Sequence, residues 1–206
     1  MKEIRNIIFD VGNVLFKYYP EYIIKSLLPK CAHTEFYLNE LFNSDIWISL
    51  DKGSLTAKTA IKEISKRHLL TAKQITDINL LITDFYKFLI LDKDMKELFI
   101  NCTNNYNVYI LSNFQSESFA KLKLENAFLS LAKGEIVSAN VNMMKPELGI
   151  YHYLLSQENI LPEQSLFIDD MKDNIAAANR LLIKTIHHKS YSKTISELKQ
   201  LNVKFK

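Results

Sequence analysis

Ile4-Arg5-Asn6-Ile7-Ile8-Phe9-Asp10-Val11-Gly12-Asn13-Val14-Leu15 is the stretch on which the fold turns. Ile4–Phe9 is apolar and rich in β-branched residues, and it stops abruptly at Asp10. It does not alternate and is too short for a helix, so it reads as a buried strand. Asn107–Leu111 repeats that character before Ser112-Asn113, and Ser165–Ile168 repeats it before Asp169-Asp170. Leu182–His187 and Gly134–Ser138 are weaker runs of the same kind. Between the strands, Ser116–Leu124, Pro146–Gln157, Lys172–Leu182 and Ser192–Leu201 carry helical patterns. Strands alternating with helices predict βαβ units and a parallel sheet.

The stretch from Tyr18 to Phe88 breaks the alternation. Glu21–Leu28, Glu35–Phe42, Thr56–Leu69 and Ala72–Phe88 read as helices, with no convincing strand among them. Thr71 and Gln74 stand at capping-box spacing, and Ser54 or Thr56 can cap the helix after Gly53. The fold class is therefore α/β: a Rossmann-like parallel sheet core, 1–17 plus 89–206, with an inserted helical cap at 18–88.

Composition narrows the function. The chain has 206 residues, enough to bury a core without disulfide or metal staples. Lys+Arg is 26 and Asp+Glu is 23, and the resulting charge of +3 is too weak a bias to argue for nucleic acid. Lys62, Lys66 and Arg67 lie in a helical pattern and read as a solvated face. Cys31 and Cys102 make no disulfide framework and read as reduced, packed thiols of a cytoplasmic protein. No apolar run reaches the length of a membrane span, and Met1-Lys2-Glu3-Ile4-Arg5 leads too quickly to Asp10 for a signal peptide. Neither nucleic acid nor a membrane is therefore expected as a partner.

Three strands end in polar residues: Asp10, Ser112-Asn113 and Asp169-Asp170. Singly, each is an ordinary loop start or helix cap. In an open parallel sheet, however, ligands bind beyond the carboxyl ends of the strands, and three such ends converge on one crevice. Clustered carboxylates repel unless a cation sits among them, and all-oxygen ligation suits Mg²⁺. Lys145 adds a positive charge before Pro146, which reads as the first residue of a helix. Ser112 and nearby backbone N–H groups can hold phosphoryl oxygens. Asp10 is then free to attack phosphorus and form an aspartyl-phosphate.

At these residues the chain resembles the haloacid dehalogenase-like (HAD) superfamily. The resemblance is carried by Phe9-Asp10-Val11-Gly12-Asn13-Val14-Leu15, Leu111-Ser112-Asn113, Met144-Lys145-Pro146-Glu147 with Ile150-Tyr151, and Phe167-Ile168-Asp169-Asp170-Met171-Lys172-Asp173-Asn174-Ile175 with Ala176-Ala177-Ala178. The helical insertion matches this superfamily's C1 cap. Asp-x-Gly-Asn-Val looks like the subfamily IA phosphatases that include sugar-1-phosphate phosphatases and relatives of the epoxide hydrolase N-terminal domain. The resemblance implies that Asp10 is nucleophile and metal ligand and that Gly12 offers a backbone carbonyl to the metal. It implies phosphate binding by Ser112 and Asn113, charge balance by Lys145, and metal ligation by Asp170 directly and by Asp169 through water. It also implies that Asn174 closes the fourth motif behind the metal ligands, and that the partner is a small phosphorylated metabolite acted on by a monomer or homodimer.

One departure matters. Most phosphatases of this superfamily carry a second Asp, two residues after the nucleophile, that protonates the leaving group. Here that place is Gly12, and Asn13–Tyr19 contains no carboxylate. Esters with better leaving groups, such as glucose-1-phosphate or aryl phosphates, should suffer least. Two rival readings follow: a metal-independent 2-haloacid dehalogenase, against which Asp169-Asp170 argues, and a non-catalytic binding protein of the same fold. Among weaker signals, His187-His188 reads as surface polar residues, Asn101–Asn107 as a polar turn, and Phe85, Tyr86 and Phe88 as core. Tyr18, Tyr19 and Tyr22 read as packing at the entry to the cap. Trp47 with Asp51-Lys52-Gly53 reads as a cap loop facing the site.

Overall fold

The computed structural model describes residues 3–205, so Met1, Lys2 and Lys206 lie outside the described residues. The chain begins with β1 (Asn6–Phe9) and a short β2 (Phe16–Lys17). A helical run follows: α1 (Pro20–Leu27), α2 (Thr34–Tyr37) leading into a π-helical turn (Leu38–Phe42), α3 (Asp45–Asp51), α4 (Ala57–Arg67) and α5 (Ala72–Asp84). After β3 (Ile90–Leu91) come α6 (Lys93–Cys102), β4 (Asn107–Ser112), α7 (Ser116–Glu125), β5 (Gly134–Val137), α8 (Ser138–Val141) and α9 (Leu148–Gln157). The chain closes with β6 (Ser165–Asp169), α10 (Lys172–Arg180), β7 (Lys184–His187) and α11 (Tyr191–Gln200). No helix of the described residues is long and apolar enough to cross a membrane.

The main sheet is five-stranded and parallel, in the order β5-β4-β1-β6-β7. The α/β, Rossmann-like class expected from the sequence is the class observed. Strand alternation sends successive side chains to opposite faces. Ile7 and Phe9 enter one core with Val108, Ile110, Leu166 and Ile168, while Ile8 enters a second core with Tyr109, Leu111, Phe167 and α9 and α10 residues. Both faces of the strands are buried, which is why the sequence shows unbroken apolar runs there.

Local chemistry starts the helices where it should. In α5 the Thr71 hydroxyl accepts from the Gln74 N–H at 3.2 Å, and the Gln74 side chain accepts from the Thr71 N–H at 3.0 Å. Thr56 and Thr59 do the same for α4. β2 and β3 pair antiparallel, Phe16 with Leu91 and Lys17 with Ile90. Between them, every regular element among the described residues is helical.

Several expectations require correction. The ribbon β2–β3 has two residues per strand, too few for any period to register. α6 was hidden in a stretch read only at its end: Asp92 caps it by accepting from the Met95 N–H at 3.1 Å, and Met95, Leu98, Phe99 and Cys102 are buried on one face. Of the polar Asn101–Asn107 stretch, Asn101 and Cys102 close α6 and Asn107 opens β4, leaving a turn of four residues. Pro146 does not start α9, because the Glu147 N–H closes a turn onto the Met144 carbonyl at 2.9 Å and the helix begins at Leu148. Trp47 is buried on α3, not in a loop.

His188 is not a surface residue. It is 3% exposed, and its Nδ1 lies 2.8 Å from the hydroxyl of buried Thr194 on α11. Burial pushes its pKa from 6.5 down to about 4, with Lys17 and His187 adding to the effect and Asp92 opposing it. The unfolded chain therefore takes up a proton at His188 below its ordinary value, while the folded chain resists until about 4. Stability from this group is complete above pH 6.5 and is lost as pH falls toward 4. Because a tenfold difference in proton affinity is worth about 1.4 kcal/mol, the loss is on the order of 3 kcal/mol. Denaturant unfolding at pH 7.5 and at pH 4.5 should show a smaller acid-induced drop for His188→Gln than for the native chain; equal drops would show that His188 does not carry this dependence.

Candidate active site

Register brings the polar strand ends together. Phe9 pairs with Ile110 on one side and Ile168 on the other, so Asp10 stands level with Leu111 and Asp169. Ser112, Asn113 and Asp170 lie one or two steps further along the same sheet edge. One carboxylate oxygen from each of Asp10, Asp169 and Asp170 falls within 4.8 Å of the others.

Lys145 sits inside this group and is 2% exposed. Its Nζ lies 2.8 Å from Asp10 Oδ1 and donates to Asp169 Oδ2 at 2.7 Å. Burial alone would lower the pKa of this lysine, but Asp10 and Asp169 overcome it and hold the ammonium above its usual value. The backbone of Lys145 is clipped by Asn113, whose side-chain oxygen accepts from the Lys145 N–H at 2.8 Å and whose amide donates to the Lys145 carbonyl at 2.9 Å. The Asn113 side chain is thereby committed to positioning Lys145.

The carboxylates differ in freedom. Asp169 is fully buried and held on both oxygens: Oδ1 by the Met171 N–H at 2.8 Å and Asn174 at 3.0 Å, Oδ2 by Lys145 and by Asn174 at 3.1 Å. Asn174 therefore stands directly behind Asp169. Asp10 Oδ1 accepts from the Val11 N–H at 2.7 Å as well as from Lys145, and Oδ2 takes no hydrogen bond from a described residue. Burial pushes Asp10 up to about 7, with Asp169 and Asp170 adding to the rise and Lys145 opposing it. Asp170 is also raised, by burial and then by Asp169. One ammonium does not balance three carboxylates. The all-oxygen donor set and its surplus negative charge fit a hard divalent cation such as Mg²⁺.

Asn13 is the residue that sequence reasoning left without a role. At φ 53° it closes the turn after Gly12, donates to Asp170 Oδ2 at 3.2 Å and accepts from the Tyr18 N–H at 3.1 Å. Gly-Asn, a pair that favours left-handed backbone, was the available signal. His187 Nε2 lies 2.8 Å from the Asp170 carbonyl. The hydroxyl of Ser112, at the end of β4, makes no hydrogen bond to a described residue.

A cavity of about 150 Å³ opens beside Asp10, Gly12, Asn13, Asn113 and Asp170. Tyr18, Trp47, Phe85, Leu89, Phe114 and Met171 wall it, and Asp51 also borders it. Trp47 packs 4.5 Å from Phe42 and 4.9 Å from Phe85, ring centre to ring centre. Phe85, read as core, is thus core and cavity wall together. Tyr19 and Tyr22 are exposed and take no part in the wall.

A Rossmann-like sheet with an Asp at the end of its central strand, a buried Lys and a paired Asp beside it is the architecture of a hydrolase. No protein-family model matches the chain. It is 25% identical over 198 residues to the sesquiterpene phosphatase astK of Aspergillus oryzae, covering 94% of each chain. It is 27% identical over 187 residues to the drimenol cyclase drtB of Aspergillus calidoustus, covering 89% of this chain and only 34% of that longer protein. The magnesium complex of a HAD family enzyme from Bacteroides thetaiotaomicron superposes with a TM-score of 0.72 at 25% identity, covering 91% of this chain and 94% of that one. In sequence and in fold the chain is thus similar to hydrolases of the haloacid dehalogenase-like kind.

Removing the ammonium should be costly. Lys145→Met leaves Asp10 and Asp169 buried without a counter-charge, and breaking a buried pair costs about 3–5 kcal/mol. In EDTA at neutral pH, the loss should shrink when Asp10→Asn is added, because one uncompensated charge disappears. A double-mutant cycle by denaturant unfolding that is strictly additive would disprove the coupling.

Proposed function

We propose that this chain is a Mg²⁺-dependent phosphomonoesterase acting through an aspartyl-phosphate on Asp10. The observation that carries the reading is the convergence of Asp10, Asp169 and Asp170 on one point, with Lys145 bridging two of them. Asp10 and Asp170, the Gly12 carbonyl, and Asp169 through water would hold Mg²⁺, which would offset repulsion between the carboxylates and a phosphate dianion. The Bacteroides enzyme has also been solved with magnesium and inorganic phosphate, which supports the same reading for this site.

Asp10 Oδ2 is the oxygen left to bond to phosphorus while the ester oxygen departs with the P–O electron pair. Lys145 keeps Asp10 ionised as phosphate approaches. The Ser112 hydroxyl and the backbone N–H of Asn113 hold the remaining phosphoryl oxygens. Segment 18–88 acts as a cap whose aromatic residues exclude water from the reacting centre.

The cavity wall bears on substrate. A sugar phosphate needs hydrogen-bond partners for its hydroxyls, whereas Tyr18, Trp47, Phe85, Leu89, Phe114 and Met171 offer mainly apolar surface. A cavity near this size takes a ring such as benzene. We therefore favour a small phosphate monoester with an aryl or short apolar chain over glucose-1-phosphate. The sesquiterpene phosphatase relative is consistent with an apolar leaving group.

Activity should appear with Mg²⁺ on phenyl phosphate or 3-methylbut-3-enyl phosphate, vanish in EDTA, and be lost in Asp10→Asn with the fold retained. The apolar esters should show higher kcat/KM than glucose-1-phosphate. Turnover that persists in EDTA, or Mg²⁺ and phosphate binding with no hydrolysis across such a panel, would refute the proposal.

A further inference from the structure

The carboxylates of the phosphoryl site are all occupied with Lys145, the metal position or one another, and Gly12 offers no side chain to the leaving group. A Cβ built on Gly12 meets nothing within 4 Å, so the space beside the nucleophile is open. One further carboxyl borders the same cavity: Asp51, the last residue of α3 on the cap.

Its place is fixed by the residues around it. The fully buried Ser138 donates its hydroxyl to the Asp51 carbonyl, and the Ser138 Oγ itself accepts from the Phe114 N–H at 2.9 Å. Lys52 pairs with Glu147 at 2.6 Å, just past Lys145. Gly53, at φ 79°, lies so close to Ala139 that a Cβ would stand 2.6 Å from its carbonyl oxygen. Three successive residues thus anchor the end of α3 to the core loops.

Two polar groups lie close to this carboxyl. The Tyr18 hydroxyl is buried without a hydrogen bond to a described residue, walls the cavity and feels the Asp51 charge. The Gln115 side chain lies near enough to favour the ionised form of Asp51. Burial holds Asp51 well above the usual carboxylate range, opposed by Gln115. A buried polar atom without a partner is rare, and a catalytic role is one explanation for it.

From the shared cavity and the empty place at Gly12, we propose that Asp51 is the general acid and base of this site, supplied by the cap. The inference rests on the aspartyl-phosphate reading above. As Asp10 bonds to phosphorus and the P–O ester bond breaks, the Asp51 carboxyl gives its proton to the departing oxygen. In the second half, the Asp51 carboxylate takes a proton from the water that attacks phosphorus. The P–O bond to Asp10 then breaks, phosphate leaves, and both side chains return to their starting forms. Tyr18 and Gln115 orient the carboxyl or the leaving oxygen.

The experiment follows the first turnover of two esters, p-nitrophenyl phosphate and 3-methylbut-3-enyl phosphate, on one preparation with Mg²⁺. Because both esters meet the same enzyme, their ratio is independent of how much of it is folded. General acid catalysis is worth about 10²–10⁴-fold, so Asp51→Asn should slow the alkyl ester by that factor while the nitrophenyl ester, whose leaving group needs no proton, loses about tenfold or less. The variant should also release nitrophenolate in a burst followed by slow turnover, since the base for the second half is gone. Adding Gly12→Asp should restore the alkyl ester. Equal losses for both esters in Asp51→Asn, or no loss for either, would overturn the role of Asp51 while leaving the nucleophile intact. A native enzyme inactive on both esters would instead overturn the phosphomonoesterase reading on which it rests.

Discussion

A buried ammonium between two buried carboxylates organises this molecule. Lys145 reaches Asp10 at 2.8 Å and Asp169 at 2.7 Å, away from water. Taking such ions out of water costs several kcal/mol each, and attraction repays it only when the remaining hydrogen bonds are made. Here they are made: Asn113 clips the Lys145 peptide, Asn174 and the Met171 N–H hold Asp169, and the Val11 N–H holds Asp10. With Asp170 the balance is still negative, and this adds to the burial that pushes Asp10 up to about 7. The site is built to be completed by positive charge.

The sheet makes that cluster possible. β1 lies between β4 and β6 in register, so residues more than a hundred positions apart in sequence arrive at one edge without any side chain having to stretch. Past the hydrogen-bonded Asn6 and Ser165 that open β1 and β6, these strands run apolar until they end. The first polar residues after each run therefore gather where the sheet meets solvent and ligand.

That constraint explains what was legible in the sequence. Asp10, Ser112, Asp169 and Asp170 were visible because each interrupts an apolar run, and Lys145 and Asn174 were visible through the motifs around them. Asn113 was visible as a residue but not as a clip on Lys145, because its partners are backbone atoms of a loop 32 positions away. The ribbon of β2 and β3 was too short to register. His188 was misread because its burial is conferred by Thr194 on α11, which no local pattern at a strand end announces. The cavity wall was least legible of all. Tyr18, Trp47, Phe85 and Phe114 come from four separate segments, and aromatic residues in a cap pattern read equally well as core.

The apolar wall and the charged floor depend on each other. Charges interact far more strongly where water is excluded, so the aromatic residues that wall the cavity strengthen the field that Lys145 and the carboxylates set up. The run Asp51-Lys52-Gly53 connects this to chemistry. Its anchors to Ser138, Glu147 and Ala139 hold the end of α3 in place, and the same run carries the carboxyl proposed to move the proton. With the proposed acid on α3 instead of beside the nucleophile, proton transfer would be available only while α3 is held there. Under the same proposal, the helical segment would also keep out the water that competes at phosphorus. An empty place at Gly12 is then consistent with an enzyme that links closure to reaction.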